Sequence, residues 1–145
     1  MRIHLVRFVP APPDVVWNAL TDPAAMAKWW GPEGFVCPSV DWDPQPGNAF
    51  RIAMQPPQGE LFHLRGEFRE VTAPNRLVFS FVWDPPDPDD RETVAALALE
   101  RLGEAGTELE LHQGWFATEE RRALHEEGWA DSLNRLAAVL REAAA

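Results

Sequence analysis

A single cysteine, Cys37, stands among 145 residues, so no internal disulfide framework holds this chain. No CxxC or CxxC…HxxxH spacing occurs either, which removes the usual structural zinc patterns, and a reducing compartment fits best. Nowhere do 18 apolar residues run together, and the start, MRIHLVRFV, lacks the apolar core and cleavage site of a signal peptide. A cytoplasmic protein without a membrane span is expected. Basic residues are also few, 13 against 23 acidic, for a formal net charge of −10, and no run of Lys or Arg forms a stripe able to neutralise phosphates. Nucleic acid is therefore not an expected partner. The acid excess is spread along the chain as a solvated, self-repelling surface. Tyrosine is missing and one lysine accompanies twelve arginines, a bias that carries no function.

Catalytic signatures are missing as well. There is no GxSxG elbow, P-loop, GxGxxG fingerprint, HExxH pair or EF-hand loop, so no nucleophile, cofactor cradle or metal site is announced. No catalytic residue, cofactor or metal is expected. The four histidines, His4, His63, His112 and His125, are scattered, and Cys37 precedes Pro38 in a strand with no neighbouring base, as a small apolar core residue would. The acidic, Pro-rich run Asp84 to Asp90 lacks the alternating ligands and terminal Glu of a calcium loop and reads as a solvated hairpin connection.

What the chain does contain is alternation, broken by prolines, glycines and asparagines. Ile3–Val9 alternates as a strand, and six more follow at Phe35–Trp42, Ala49–Gln55, Leu61–Val71, Arg76–Trp83, Thr93–Leu102 and Thr107–Gly114, an antiparallel meander within one domain spanning residues 1–145. Between the first two strands, Pro12 or Pro13 to about Leu20 reads as a short helix. Asp22 caps a second, starting at Pro23 and running to Trp30 before Gly31-Pro32 stops it. Strand parity assembles apolar files: Phe50, Ile52 and Met54; Leu77, Phe79, Phe81 and Trp83; Leu109 and Leu111; and Phe62, Leu64, Gly66 and Phe68. His63, Arg65, Glu67 and Arg69 then form a charged outer surface; the opposite parity would make them a polar pocket wall.

Thr118–Ala145, rich in Ala, Leu and Arg without proline, is a long helix. At 100° per residue His125, Trp129, Ser132, Leu133, Leu136, Val139 and Leu140 share one face. Its first half carries His125, Gly128 and Ser132 around Trp129 where the second half carries Leu and Val. Small and polar residues fill less space, so a cavity is expected there, unless His125 and Ser132 serve only to satisfy backbone or water. The stretch KWWGPEGF raises the same question from the other side, because each buried tryptophan, at 150–250 Å² and about 25 cal/mol per Å², contributes a few kcal/mol. Trp29 and Trp30 must line a core, a cavity or a partner surface.

The segments PPDVVWNALTDPAAMAKWWGPEGF, RGEFREVTAPNRLVFSFVW, GTELELHQGW and HEEGWADSLNRLAAVL, in this order and spacing, resemble the family of activators of heat-shock protein 90 ATPase homologues, within the START-related polyketide cyclase and lipid-transport superfamily. The resemblance implies an α+β helix-grip fold, in which a seven-stranded antiparallel curved sheet grips the long C-terminal helix and two short helices close one end of a cavity. With the strand parity and helix phase above, it places Trp29, Trp30, Phe35, Phe50, Met54, Phe79, Phe81, Trp83, His125, Trp129 and Ser132 around that cavity, with a packing role open for both adjacent tryptophans.

Three functions follow from these readings. The first is binding of a small apolar or amphipathic ligand in the cavity. The second, implied by the family name, is a stress-response partner docking on a chaperone ATPase, although co-chaperones of that type carry a larger N-terminal domain that is not found here. The third is a cyclase- or dehydratase-like enzyme using polar cavity residues, for which only His125 has the right location. The outward strand positions offer no large apolar file, so a monomer or weak homodimer is expected.

Overall fold

The structure is a computed structural model and describes residues 1–144. Seven strands form one antiparallel sheet: β1 (Arg2–Val9), β2 (Val36–Asp41), β3 (Ala49–Gln55), β4 (Phe62–Thr72), β5 (Arg76–Asp84), β6 (Thr93–Leu102) and β7 (Gly106–Gly114). Their spatial order is β1-β7-β6-β5-β4-β3-β2, so a meander from β2 to β7 is closed by β1 pairing with β7. Helices α1 (Pro13–Thr21) and α2 (Pro23–Trp29) sit between β1 and β2, and α3 (Glu119–Ala144) follows β7. The expected α+β helix-grip architecture is therefore the observed one: a curved sheet, two short helices after its first strand, and a long C-terminal helix. The expected residue Ala145 of that helix lies outside the described residues.

Local chemistry explains the boundaries. Prolines occupy the first turns of α1 and α2, where a missing N–H is no loss, and the Asp22 carboxylate accepts from Ala25 N at 3.3 Å as the α2 cap. Thr118 Oγ1 accepts from Arg121 N at 3.2 Å to start α3. α2 ends one residue earlier than its pattern suggests, because Trp30 is already extended, with ψ 135°, and Gly31 takes φ +99°. The extended conformation of Trp30 turns its ring away from the helix, 5.4 Å from that of Trp29, and the left-handed conformation of Gly31, which a glycine adopts without strain, then redirects the chain. A bulge between Phe68 and Glu70 bends β4 over β5. Nearby, at Gly66, the strands approach so closely that a Cβ would lie 2.0 Å from the Ser80 carbonyl oxygen.

Parity places Leu64 and Phe68 inward and Arg65, Glu67 and Arg69 outward, so these charges do not wall the interior. The inward files of β3 to β7 pack against α1, α2 and the buried stripe of α3, Trp129, Leu133, Leu136 and Leu140. Trp42 anchors the densest region, with ring centroids 4.7 Å from Phe50, 4.7 Å from Phe68 and 5.3 Å from Phe79. Its indole N–H donates to Leu20 O at 2.9 Å, while that of Trp29 donates to Ala19 O at 2.9 Å. Two tryptophans thus satisfy carbonyls at the C-terminal end of α1, groups that otherwise have no helical partner.

Trp29 is fully buried. The Trp29→Phe variant keeps an aromatic ring but loses the bond to Ala19 and leaves a void, so urea unfolding should show a loss of ~2–3 kcal/mol. A loss below ~1 kcal/mol would contradict the structural role assigned to the indole.

Candidate ligand cavity between the sheet and α3

The cavity lies where the first half of α3 crosses the ends of β4 and β5. Phe62 and Trp83 from those strands stack edge to face at 5.4 Å, Phe81 stands 5.0 Å from Trp83, and Phe35 closes on Phe62 at 6.2 Å. From the opposite side Trp30 presses its ring edge to Trp129 at 5.1 Å. Met54 supplies a flexible thioether to the same wall. The pocket is open to solvent on one side and has a volume of about 460 Å³, within the range of small-molecule sites. Solvent reaches it past exposed residues of α3 and of the β5–β6 loop, among them Leu124, Glu127 and Asp87.

Helix α3 holds one rim of this cavity by polar contacts. Ser132 Oγ accepts from Gly31 N at 3.1 Å while its own hydroxyl donates to Gly128 O at 2.9 Å. Asp131 accepts from Glu33 N at 3.3 Å. Arg135 Nη1 donates to Trp30 O and Gly31 O at 3.1 Å and to Pro32 O at 3.3 Å, and Nη2 reaches Lys28 O at 3.3 Å. One guanidinium therefore caps the C-terminal end of α2, where carbonyls and the helix dipole both favour a cation. Cys37 sits under the same corner, its thiol 3.6 Å from Trp30 O, and burial pushes its pKa up. It is a poor thiolate nucleophile.

At the other rim His125 is buried between three rings, Phe81, Trp83 and Phe116. Trp83 Nε1, which can only donate, lies 2.7 Å from His125 Nε2, and the Arg121 carbonyl, which can only accept, lies 2.6 Å from Nδ1. The imidazole must be neutral with its proton on Nδ1. Burial lowers its pKa, the neighbouring Arg121 charge adds to that, and the backbone bond and Asp90 oppose it. With both nitrogens engaged, His125 has no free lone pair for proton abstraction. Trp129 is tied in the same way, donating to Gln113 Oε1 at 2.6 Å, and Gln113 in turn donates to Thr93 Oγ1 at 2.9 Å.

Of the eleven residues assigned to the cavity from sequence, the structure brings eight to its wall: Trp30, Phe35, Met54, Phe81, Trp83, His125, Trp129 and Ser132. Phe50 and Phe79 belong instead to the packed aromatic region, because Trp42 turns inward and fills the space they would have faced, and Trp29, still in α2, is buried against α1 through its bond to Ala19 O. The β5–β6 loop, read above as merely solvated, reaches the mouth: Asp90 is nearly buried and pairs with Arg121 at 2.6 Å, and Pro85 and Asp87 border the opening. The pairing has a trace in sequence, an arginine in the first turn of α3, where acidic residues would be expected, facing an acidic loop. Arg135 had none, since its place on the helix wheel is that of a surface residue.

A family model described as Activator of Hsp90 ATPase homolog 1-like protein matches residues 10–141. Among solved structures, a protein from Chromobacterium violaceum is 28% identical with a TM-score of 0.86, covering 95% of either chain. An AHSA1 protein from Silicibacter pomeroyi is 29% identical with a TM-score of 0.85, covering 97% of this chain and 98% of its own. A protein from Nitrosomonas europaea is 26% identical with a TM-score of 0.81, covering 98% and 95% respectively. No curated protein matches the sequence.

The neutral, buried His125 predicts a pH dependence of stability. Its folded pKa lies below the unfolded value, so its contribution is complete above about pH 6.5 and declines as pH falls below that, where the unfolded chain binds the extra proton. Urea midpoints measured between about pH 7.5 and 5.5 should fall more steeply for the natural protein than for the His125→Gln variant. Parallel slopes would refute the assignment.

Proposed function

The chain belongs to the Activator of Hsp90 ATPase homolog 1-like family, and on that premise we propose that it is a binding protein for a small apolar or amphipathic molecule held between the sheet and α3. The observation carrying this reading is the aromatic cavity of about 460 Å³. A well-packed domain of this size leaves few voids larger than a water molecule, and rings kept apart around open space forgo dispersion contacts they would otherwise make. A ligand regains those contacts. The polar groups around the wall are spent on holding it in shape: Ser132 on Gly31, His125 on Trp83, Trp129 on Gln113. The walls therefore favour an apolar body, and the wetter mouth at Asp87 and Glu127 suits a polar end.

The family name supplies a second reading, docking on a chaperone ATPase, but a docking surface has no need of an interior void. The enzymatic reading loses its best base, since His125 has no nitrogen free. The proposed setting is cytoplasmic, with the protein acting as a monomer or weak homodimer. No helix among the described residues is long and apolar enough to cross a membrane.

Gly128 offers a direct test. It lies on the cavity side of α3, and a Cβ there would meet nothing closer than Pro32 at 3.7 Å. In Gly128→Trp the added indole should occupy the void without displacing backbone. Titration with anilinonaphthalene sulfonate, followed by energy transfer from the wall tryptophans, should show saturable binding to the natural protein and at least tenfold weaker binding to the variant, with thermal stability retained. Equal binding by both would place the probe elsewhere and remove the support for the cavity.

A further inference from the structure

Two of the scattered histidines meet on the outer face of the sheet, remote from the cavity. His4 of β1 is directly opposite His112 of β7, and their rings stack with centroids 4.2 Å apart and 10° between planes. Glu110, two residues before His112, shares that face. Its carboxylate is divided between the two imidazoles: Oε2 lies 3.1 Å from His4 Nε2, and Oε1 lies 3.1 Å from His112 Nε2. Each residue offers one ligand atom, and the three atoms lie within 4.8 Å of one another.

We propose that His4, Glu110 and His112 form a surface site for a divalent transition-metal ion of the zinc class. A tetrahedral ion bound at ~2.0–2.1 Å requires neighbouring ligand atoms ~3.3 Å apart. Each imidazole nitrogen already lies 3.1 Å from one of the two carboxylate oxygens, and the three ligand atoms, within 4.8 Å of one another, need only a small inward turn of the side chains to close on an ion. Two imidazoles and one carboxylate are a donor set such ions accept, and three protein ligands leave a position for water. Little ordering is needed, because the β1–β7 ladder fixes both backbones and the stacked rings restrain each other. Approach is open: the β6 residues beside Glu110 and His112 are Ala98 and Ala96, and the β1 residue opposite Glu110 is Val6, none of them charged. Two further charges flank the site on this face: Glu108 of β7, which attracts a cation, and Arg2 of β1, two residues before His4, which opposes one but whose guanidinium is drawn aside over the Trp115 ring.

Without an ion, each Nε2 must carry a hydrogen to bond the carboxylate. An ion takes the Nε2 lone pair of the other tautomer, so each ring hydrogen moves from Nε2 to Nδ1 and a neutral ring releases no proton. His112 Nδ1 is buried with no partner, so the site lacks the outer acceptor that commonly strengthens such ligands by 10–100-fold. A dissociation constant of about micromolar order follows, rather than the tight binding of a structural zinc. Other donors do not compete. His125 has both nitrogens engaged, the pKa of the Cys37 thiol is raised by burial, and His63 belongs to no ligand cluster among the described residues.

The test is zinc titration of the untagged full chain by isothermal calorimetry in a non-coordinating buffer at about pH 7.5, with cobalt(II) absorption as a second readout. The expected result is one ion per chain, visible cobalt bands of a low-symmetry nitrogen–oxygen site, and at least tenfold weaker binding in His4→Gln and in His112→Gln. Saturable binding should vanish in the double variant and be unchanged in His63→Gln. All three positions are on the outer sheet face, and unchanged circular dichroism would establish that each variant is folded. Undiminished binding by the double variant, or no saturable binding by the natural protein with zinc in tenfold excess, would overturn the proposal.

Discussion

The arrangement depends on the grip of α3 on the short corner after α2. Arg135 gathers the carbonyls of Lys28, Trp30, Gly31 and Pro32, while Ser132 and Asp131 accept the N–H groups of Gly31 and Glu33. Hydrogen bonds from a charged donor are worth about 1.5–3 kcal/mol each where water is excluded, and less at the exposed Lys28 carbonyl than at the part-buried carbonyls of Trp30, Gly31 and Pro32. These contacts fix the end of α2 against the middle of α3 at a set distance from the sheet. Trp30 is thereby pinned as a wall, and the space between Trp30, Trp129 and the strand ends cannot collapse without breaking polar bonds. A purely apolar contact at this corner would have slid inward until the void closed.

The two adjacent tryptophans show how one turn divides labour. Trp29 belongs to the helix, is wholly enclosed and serves α1 through Ala19. Trp30 lies past the helix end, in extended conformation, and turns toward Trp129. Gly31, at φ +99°, completes the change of direction. On the far rim the same principle recurs, with indole N–H groups of Trp83 and Trp129 each meeting a single acceptor, so that large rings stand in defined orientations around empty space. Rings held in this way form a preformed pocket, and a preformed pocket loses less entropy when a ligand enters.

Much of this was legible in the sequence because it rests on periodicity and punctuation. Strand alternation, the Pro and Gly breaks and the apolar stripe of the long helix placed all ten elements to within a residue or two. The weak packing of the first half of α3 pointed to the cavity end. Trp29 misses the cavity wall because it is still helical and points at α1. Phe50 and Phe79 miss it because parity tells which face a side chain takes, but not how far along the sheet another ring will fill the space. Trp42, at the end of β2, fills it over Phe50 and Phe79. Contacts across long sequence separations left little or no signal, among them Arg135 with the α2 corner and His4 with His112, since nothing local in either member marks its partner.

A binding protein of this kind should carry a molecule in its cavity inside the cell. Native mass spectrometry of the natural protein and of Gly128→Trp, both taken gently from the expression host, tests it most directly. The expected result is a reproducible excess mass on the natural protein that is lost on denaturation and is missing from the filled variant. A clean chain mass for both, or the same adduct on both, would contradict it.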